Sequence, residues 1–283
     1  MPPRIPTHAD FASLSSTTLP LALHFPVPPE STTTFLILFH GLGDSELPFA
    51  MFARNLHLPN TLAISVRGTS SIPPSMLHDL HQAPLPSQPQ QQQQQYYHWG
   101  DDLLLDQATG DLDPDPGFSR ACALVTEKLV RGILVERCGW DTSDVLLFGF
   151  GQGAALALGL PLTEGLTYKG VVAIGPDAGG VPASMRAKKC GTTTMTMTLR
   201  GKQQAQQGQG RLEDAKDEEE RTNDTPVLLV QGQSRQDENA VRESYGNVQV
   251  VRWKRSEVDM PRSKEEMIPI MKFFAERLKS GFL

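Results

Sequence analysis

The sequence predicts an α/β protein built on an open, mostly parallel sheet with helices on both faces. Three observations carry that expectation. Apolar runs of strand length recur along the chain, at Phe35 to Phe39, Leu62 to Val66, Val145 to Phe148, Val171 to Ile174, Val227 to Val230 and Val248 to Trp253. Helical patterns fall between them: Phe118 to Glu136 spaces Cys122, Val125, Leu129 and Ile133 along one face, and Ser263 to Lys279 does the same with Met267, Ile270, Met271, Phe274 and Leu278. Finally, the run from Leu147 to Ala155 reads as a strand entering a glycine-rich bend that opens an Ala/Leu helix. Repetition of strand, helix and strand implies parallel pairing, and in such sheets sites lie beyond the carboxyl ends of the strands.

The 283 residues are enough for one large domain, expected to span 1–283. Hydrophobic residues make up 39% and charged residues 20%, with a formal charge of −6. That mild acidity excludes a nucleic-acid partner, since phosphate binding needs a concentrated surplus of Lys and Arg. The apolar runs are far shorter than the roughly 20 residues that span a bilayer, so no membrane span is expected. Met1 to Asp10 carries three prolines and no apolar stretch, unlike a secretory signal. A cytoplasmic location is expected, with the nucleus left open. Cys122, Cys138 and Cys190 lie far apart and form neither a disulfide framework nor a zinc-site pair, so they read as isolated thiols. Neither a metal nor a cofactor is expected.

Two stretches break the globular pattern: a Pro/Gln tract at about 82–95, and a polar stretch at about 201–224 rich in Gln, Gly, Asp, Glu and Lys. Neither offers enough apolar surface to offset the entropy of ordering, and both are expected to be disordered insertions. The second precedes a strand and is placed to cover or extend a pocket.

Chemistry enters with Phe39-His40-Gly41-Leu42-Gly43-Asp44, a His-Gly step at the end of a strand followed by a glycine-containing loop. Trp99-Gly100-Asp101 follows at mid-chain, and then Gly149-Phe150-Gly151-Gln152-Gly153. Each alone is weak; a glycine cluster between strand and helix also suits phosphate binding. In this order and spacing they resemble the acyl-protein thioesterase and carboxylesterase branch of the α/β-hydrolases. The likeness extends over roughly residues 20–283 apart from the two insertions. It includes Val227 to Gly232, which looks like the strand leading to the catalytic acid, and Glu265-Glu266-Met267 with Phe273 and Phe274, which looks like the last helix.

What the resemblance implies is a nucleophile elbow of the form Gly-Phe-Ser-Gln-Gly, and here the serine position is Gly151. The acid of a His-Gly-x-x-Asp pattern falls on Arg235 in Gln231-Gly232-Gln233-Ser234-Arg235, with Asp237 two residues late. The histidine expected about six residues before the Glu-Met of the last helix falls on Met260. The seven histidines, at 8, 24, 40, 57, 78, 81 and 98, all precede the elbow, and His40 is expected to orient or pack the loop rather than to catalyse. The resemblance assigns oxyanion-hole amides to Leu42 and Gln152, and these depend on no side chain. Either they hold an oxygen of a ligand or they bind water.

The leading expectation is therefore a catalytically inactive member of that family, acting by binding an acyl or carboxylic-ester ligand or a protein partner such as a catalytic relative. The alternative is an active carboxylic-ester or palmitoyl-protein thioester hydrolase using non-standard groups, for example Ser234 or a nearby thiol with Asp237.

Overall fold

A computed structural model describes residues 3–73, 95–103, 113, 115–176, 180–186, 222–233, 238–256 and 258–279. Among these, seven strands form one sheet in the order β1-β3-β2-β6-β7-β8-β9. They are β1 (Leu21–His24), β2 (Thr34–Phe39), β3 (Thr61–Val66), β6 (Val145–Phe150), β7 (Gly170–Ile174), β8 (Val227–Gln231) and β9 (Val248–Arg252). β1 runs antiparallel to β3, and every other neighbouring pair is parallel. Two further short strands, β4 (Ser70–Ser71) and β5 (Tyr97–His98), form a separate antiparallel ladder. The six apolar runs of the sequence are all strands, within one or two residues at each end. The antiparallel edge strand was not foreseen, because Leu-Ala-Leu-His is too short to show a period.

The strands alternate their buried side chains between two layers. Phe35, Ile37 and Phe39 of β2, with Leu147 of β6 and Ala173 of β7, face a layer containing Phe11 and Leu14 of helix α1 (His8–Thr17). Leu36 and Leu38 of β2, with Leu146 and Phe148 of β6 and Ile174 of β7, face the other side. There they meet Phe49 and Ala53 of α2 (Glu46–Leu56). A sheet buried on both faces needs no polar alternation, which is why its strands read as continuous apolar runs.

The helix foreseen at Phe118 to Glu136 is present but wound in two ways. α3 begins as an α-helix at Ser119–Ala123 and continues over Leu124–Arg137 as a wider helix with i to i+5 hydrogen bonding. Its buried residues come in pairs every four positions, Val125 with Thr126, Leu129 with Val130 and Ile133 with Leu134. That repeat exceeds the 3.6 residues of an α-turn, so wider winding keeps the pairs on the core side. The elbow helix, α4 (Gln152–Glu164), packs in the same layer; Ala154 through Leu158 are at most 1% exposed. Short helices α5 (Ala183–Arg186) and α6 (Asn239–Ser244) follow, and α7 (Lys264–Lys279) buries Ile270, Phe273 and Phe274 in the α2 layer.

Of the two polar stretches, residues 82–94 and 201–221 lie outside the described residues. Asn223, placed by sequence in the second, belongs to the folded structure: it bridges Tyr245, and its Nδ2 donates to the carbonyls of Pro161 and Leu166. No helix among the described residues is long and apolar enough to cross a membrane.

The amino-terminal segment is fastened to the end of α3. The Arg4 amide donates to the Cys138 carbonyl, and the Trp140 indole donates to the Arg4 carbonyl at 2.7 Å. Arg4 also forks onto both carboxylate oxygens of Asp10 at 2.6 and 2.9 Å. Asp10 in turn accepts from the amide and hydroxyl of Thr7 and so closes a capping box on α1. The Arg4 guanidinium, helped by Thr7, holds the Asp10 carboxyl well below the usual carboxylate range. The stability this contributes is fully present above the unfolded carboxylate pKa of about 4 and is lost as pH falls below it. Replacing Asp10 by Asn is expected to lower stability at pH 7 by about 1 kcal/mol, and chemical denaturation from pH 5 to 2 should show a shallower acid loss than the parent.

Candidate functional site

The site is assembled where the carboxyl ends of β2 and β6 meet the start of α4. β6 ends at Phe150, and Gly151 turns the chain into α4 with φ 54° and ψ −122°, a combination in which a side chain is strained. The Gly151 amide donates to the Ile174 carbonyl of β7, and its carbonyl accepts from the amides of Ala154 and Ala155. The turn is thus fixed on both sides.

Two flanking glycines let backbones touch directly. A Cβ at Gly153 would lie 2.4 Å from the His40 carbonyl oxygen and 2.5 Å from that of Phe39, while one at Gly149 would lie 2.3 Å from the Gly153 carbonyl. The helix therefore rests on the exit of β2 with no side chain between them.

His40 is fully buried. Its Nε2 accepts from the Gly68 amide at 2.8 Å, which fixes the tautomer: Nδ1 carries the proton and donates to the Gly41 carbonyl at 2.7 Å. Burial pushes this imidazole down to about 4. With both nitrogens engaged, His40 orients the Gly41 to Asp44 loop, the role the sequence suggested for it.

Trp99-Gly100-Asp101 also has a physical account. The Trp99 indole donates to the His40 carbonyl at 2.8 Å, and the Trp99 amide donates to Oε1 of the buried Gln152 at 2.7 Å. The ring lies edge-on to Phe39, 5.4 Å between centroids. The Asp101 carboxylate accepts from the amides of Ser119 and Arg120, capping α3 from a distant loop. On the other flank, Arg67 grips the buried Glu46 through two bonds of 2.5 and 2.8 Å and lies over the Tyr97 ring, pinning the start of α2 to the end of β3. Asp44 lies between these anchors; burial raises its carboxyl, and the Ser45 amide donates to it.

Among the described residues, no hydrogen bond occupies the amides of Leu42 and Gln152. Gln152 is the first residue of α4, whose amide has no partner within the helix. Gly151 stands between the same elements, whereas Arg235, with Ser234 and Asp237, lies outside the described residues. Glu238, the next acid in that loop, is already engaged by Arg242 and Arg252.

Met260 lies on a segment crossing the ends of β7 and β8. Arg255 fastens this segment by donating to the carbonyls of Asp259 and Met260 and pairing with Glu266 at 3.0 Å. Val258 sits against the backbone of both Gly175 and Gly232, and the Met260 side chain packs into the α2 layer. Sequence reading did not single out Arg255 or Val258, because an Arg and a Val in a loop carry no motif. It also passed over His98 and Thr69, whose only signal was proximity to Trp99 or to a strand end.

A parallel sheet, a strand-turn-helix elbow and free amides beyond the strand ends together define an α/β-hydrolase. The sequence profile of the phospholipase/carboxylesterase group matches residues 26–201. The chain belongs to the phospholipase/carboxylesterase family. An uncharacterised hydrolase of Schizosaccharomyces pombe is 35% identical over 123 residues, 44% of this chain and 44% of that protein. A second, from Mycosarcoma maydis, is 30% identical over 128 residues, 44% of this chain and 40% of that protein. The match thus spans less than half the length of either relative. The Zea mays acyl-protein thioesterase 2 superposes with a TM-score of 0.55 at 15% identity, covering 91% of this chain and 98% of that one. A Bacillus cereus carboxylesterase superposes at 0.54 and 15% identity, covering 96% and 100%. At that identity the likeness establishes the fold alone.

Two outcomes are expected at this site. Gly153→Ala forces a methyl group into two carbonyl oxygens and should cost about 1–3 kcal/mol, read as a lower denaturation midpoint at unchanged slope. His40, neutral when folded and protonated when unfolded, should make stability fall as pH drops from about 6.5 to 4, by on the order of 3 kcal/mol; His40→Gln should flatten that limb.

Proposed function

We propose that this chain is a member of the phospholipase/carboxylesterase family that binds a carboxylic acid or ester without hydrolysing it, holding the ligand oxygen at the amides of Leu42 and Gln152. One observation carries the proposal. At the strand-to-helix turn, where a serine hydrolase raises its nucleophile, Gly151 holds the strained backbone of an elbow, φ 54° and ψ −122°, and supplies no side-chain oxygen.

Other groups support the same reading. Acyl transfer also needs a base to take the nucleophile's proton. His40 has no free nitrogen for that task, and the segment after β9 offers the thioether of Met260 where the family resemblance places an imidazole. The amides need none of these partners, because they are main chain and lie at the positive end of a helix dipole. Losing the nucleophile also relieves a strain of about 1–3 kcal/mol that a serine would carry in this turn, so the binding scaffold gains in stability by the same change.

The test compares hydrolysis of a short p-nitrophenyl ester and a palmitoyl thioester by the parent, by Gly151→Ser and by Gly151→Ser/Met260→His. The parent and Gly151→Ser should be inert while folding cooperatively. Parent turnover of about 1 per second or more, in the ordinary range of enzymes, would overturn the proposal and point to an unrecognised nucleophile.

A further inference from the structure

Around the elbow, most buried polar side chains have partners: His40, Gln152, Trp99 and Glu46 all do. Two do not. Nδ1 of His98 and Oγ1 of Thr69 are buried and have no hydrogen-bond partner among the described residues. His98 as a whole is 4% exposed. Buried polar atoms are nearly always paired, so an unpaired imidazole nitrogen in a fixed backbone needs a cause.

The backbone around His98 is tightly determined. Its β-ladder partner is Ser70. Gly68 lies so close that a Cβ there would be 2.7 Å from the His98 carbonyl oxygen, and the Gly68 amide is the one that fixes His40. The next residue, Trp99, gives its amide to the Gln152 side chain and its indole to the His40 carbonyl. His98 is therefore carried between Tyr97, whose carbonyl accepts from the Gly43 amide, and Trp99, whose amide is held by the Gln152 side chain, beyond the carboxyl ends of the strands, where open α/β sheets bind ligands. Burial lowers its pKa, with the charge of Asp102 acting in the opposite direction.

We infer that His98 is a ligand-contacting residue of the elbow site, its Nδ1–H donating to the second oxygen of a bound carboxylate whose first oxygen lies at the Leu42 and Gln152 amides. This rests on the binding proposed above and narrows it from acyl compounds in general to free carboxylic acids. A carboxylate has about four lone-pair sites on two oxygens, more than two amides on one oxygen use. An ester or an alcohol of the same chain length lacks the second anionic oxygen and loses the contact.

Octanoate, methyl octanoate and 1-octanol are titrated into the purified chain by calorimetry, alongside His98→Phe and His98→Asn. The parent should bind octanoate at least about tenfold more tightly than the other two. His98→Phe should lose about tenfold for octanoate and little for the ester, whereas His98→Asn, which keeps an N–H near the Nδ1 position, should stay within about threefold of the parent. A second reading needs no variant: in the ¹⁵N-labelled parent, the Nδ1 resonance of His98 should move on saturation with octanoate. If the parent binds octanoate but His98→Phe binds it equally, or the Nδ1 resonance stays still, the assignment of His98 is overturned and the binding proposal survives. If the parent binds none of the three, both fall together.

Discussion

The functional end of this molecule depends on one backbone-to-backbone contact. The first turn of α4 lies against the carbonyls of Phe39 and His40 at a distance that leaves no room for a single methyl group at Gly153. Everything nearby is placed by that contact. It brings Gln152 within reach of the Trp99 amide, sets the Trp99 indole on the His40 carbonyl, and leaves the His40 ring to brace the loop that carries Leu42. Side-chain packing on this scale tolerates repacking, whereas two apposed main chains do not. This explains how the elbow holds its shape with a glycine at its apex: the apex presents no side chain, its main chain is hydrogen-bonded on both sides, and the flanking glycines set the close approach.

Much of the fold was legible in the sequence, because a sheet buried on both faces writes itself as uninterrupted runs such as Phe-Leu-Ile-Leu-Phe and Val-Leu-Leu-Val. What escaped were elements whose signal is not periodic. β1 has four residues and sits at an edge, and the winding of α3 depends on hydrogen-bond register, which apolar spacing does not specify. Asn223 was placed in the polar stretch before β8 because Thr-Asn-Asp reads as loop chemistry, while it is in fact a bracket between the end of α4 and Tyr245.

The site was half legible. Gly151, Leu42 and Gln152 stood out because the family resemblance assigns them an elbow and its oxyanion loop, and Trp99 and Asp101 because Trp-Gly-Asp is part of the same resemblance. The surroundings of His98 were not legible: its neighbours in space, Gly68 and Ser70, are nearly thirty residues away in sequence, and a nitrogen without a partner among the described residues is a property of three-dimensional surroundings. The same holds for Arg255, whose work is to tie down carbonyls four and five residues ahead of it, a pattern any arginine in a loop would show.

The anchoring of Arg4 to Cys138 and Trp140 has a bearing on how the chain is made. The contact from Trp140 to Arg4 joins residues 136 positions apart. A ribosome adding roughly 5–20 residues per second makes Arg4 several seconds before the end of α3 exists to receive it. During that interval α1, which has only a weak apolar stripe of its own, lacks the α3 surface on which it lies. Docking of Arg4 therefore waits for Trp140, while the strands from β6 onward, which complete the sheet, are still to be made.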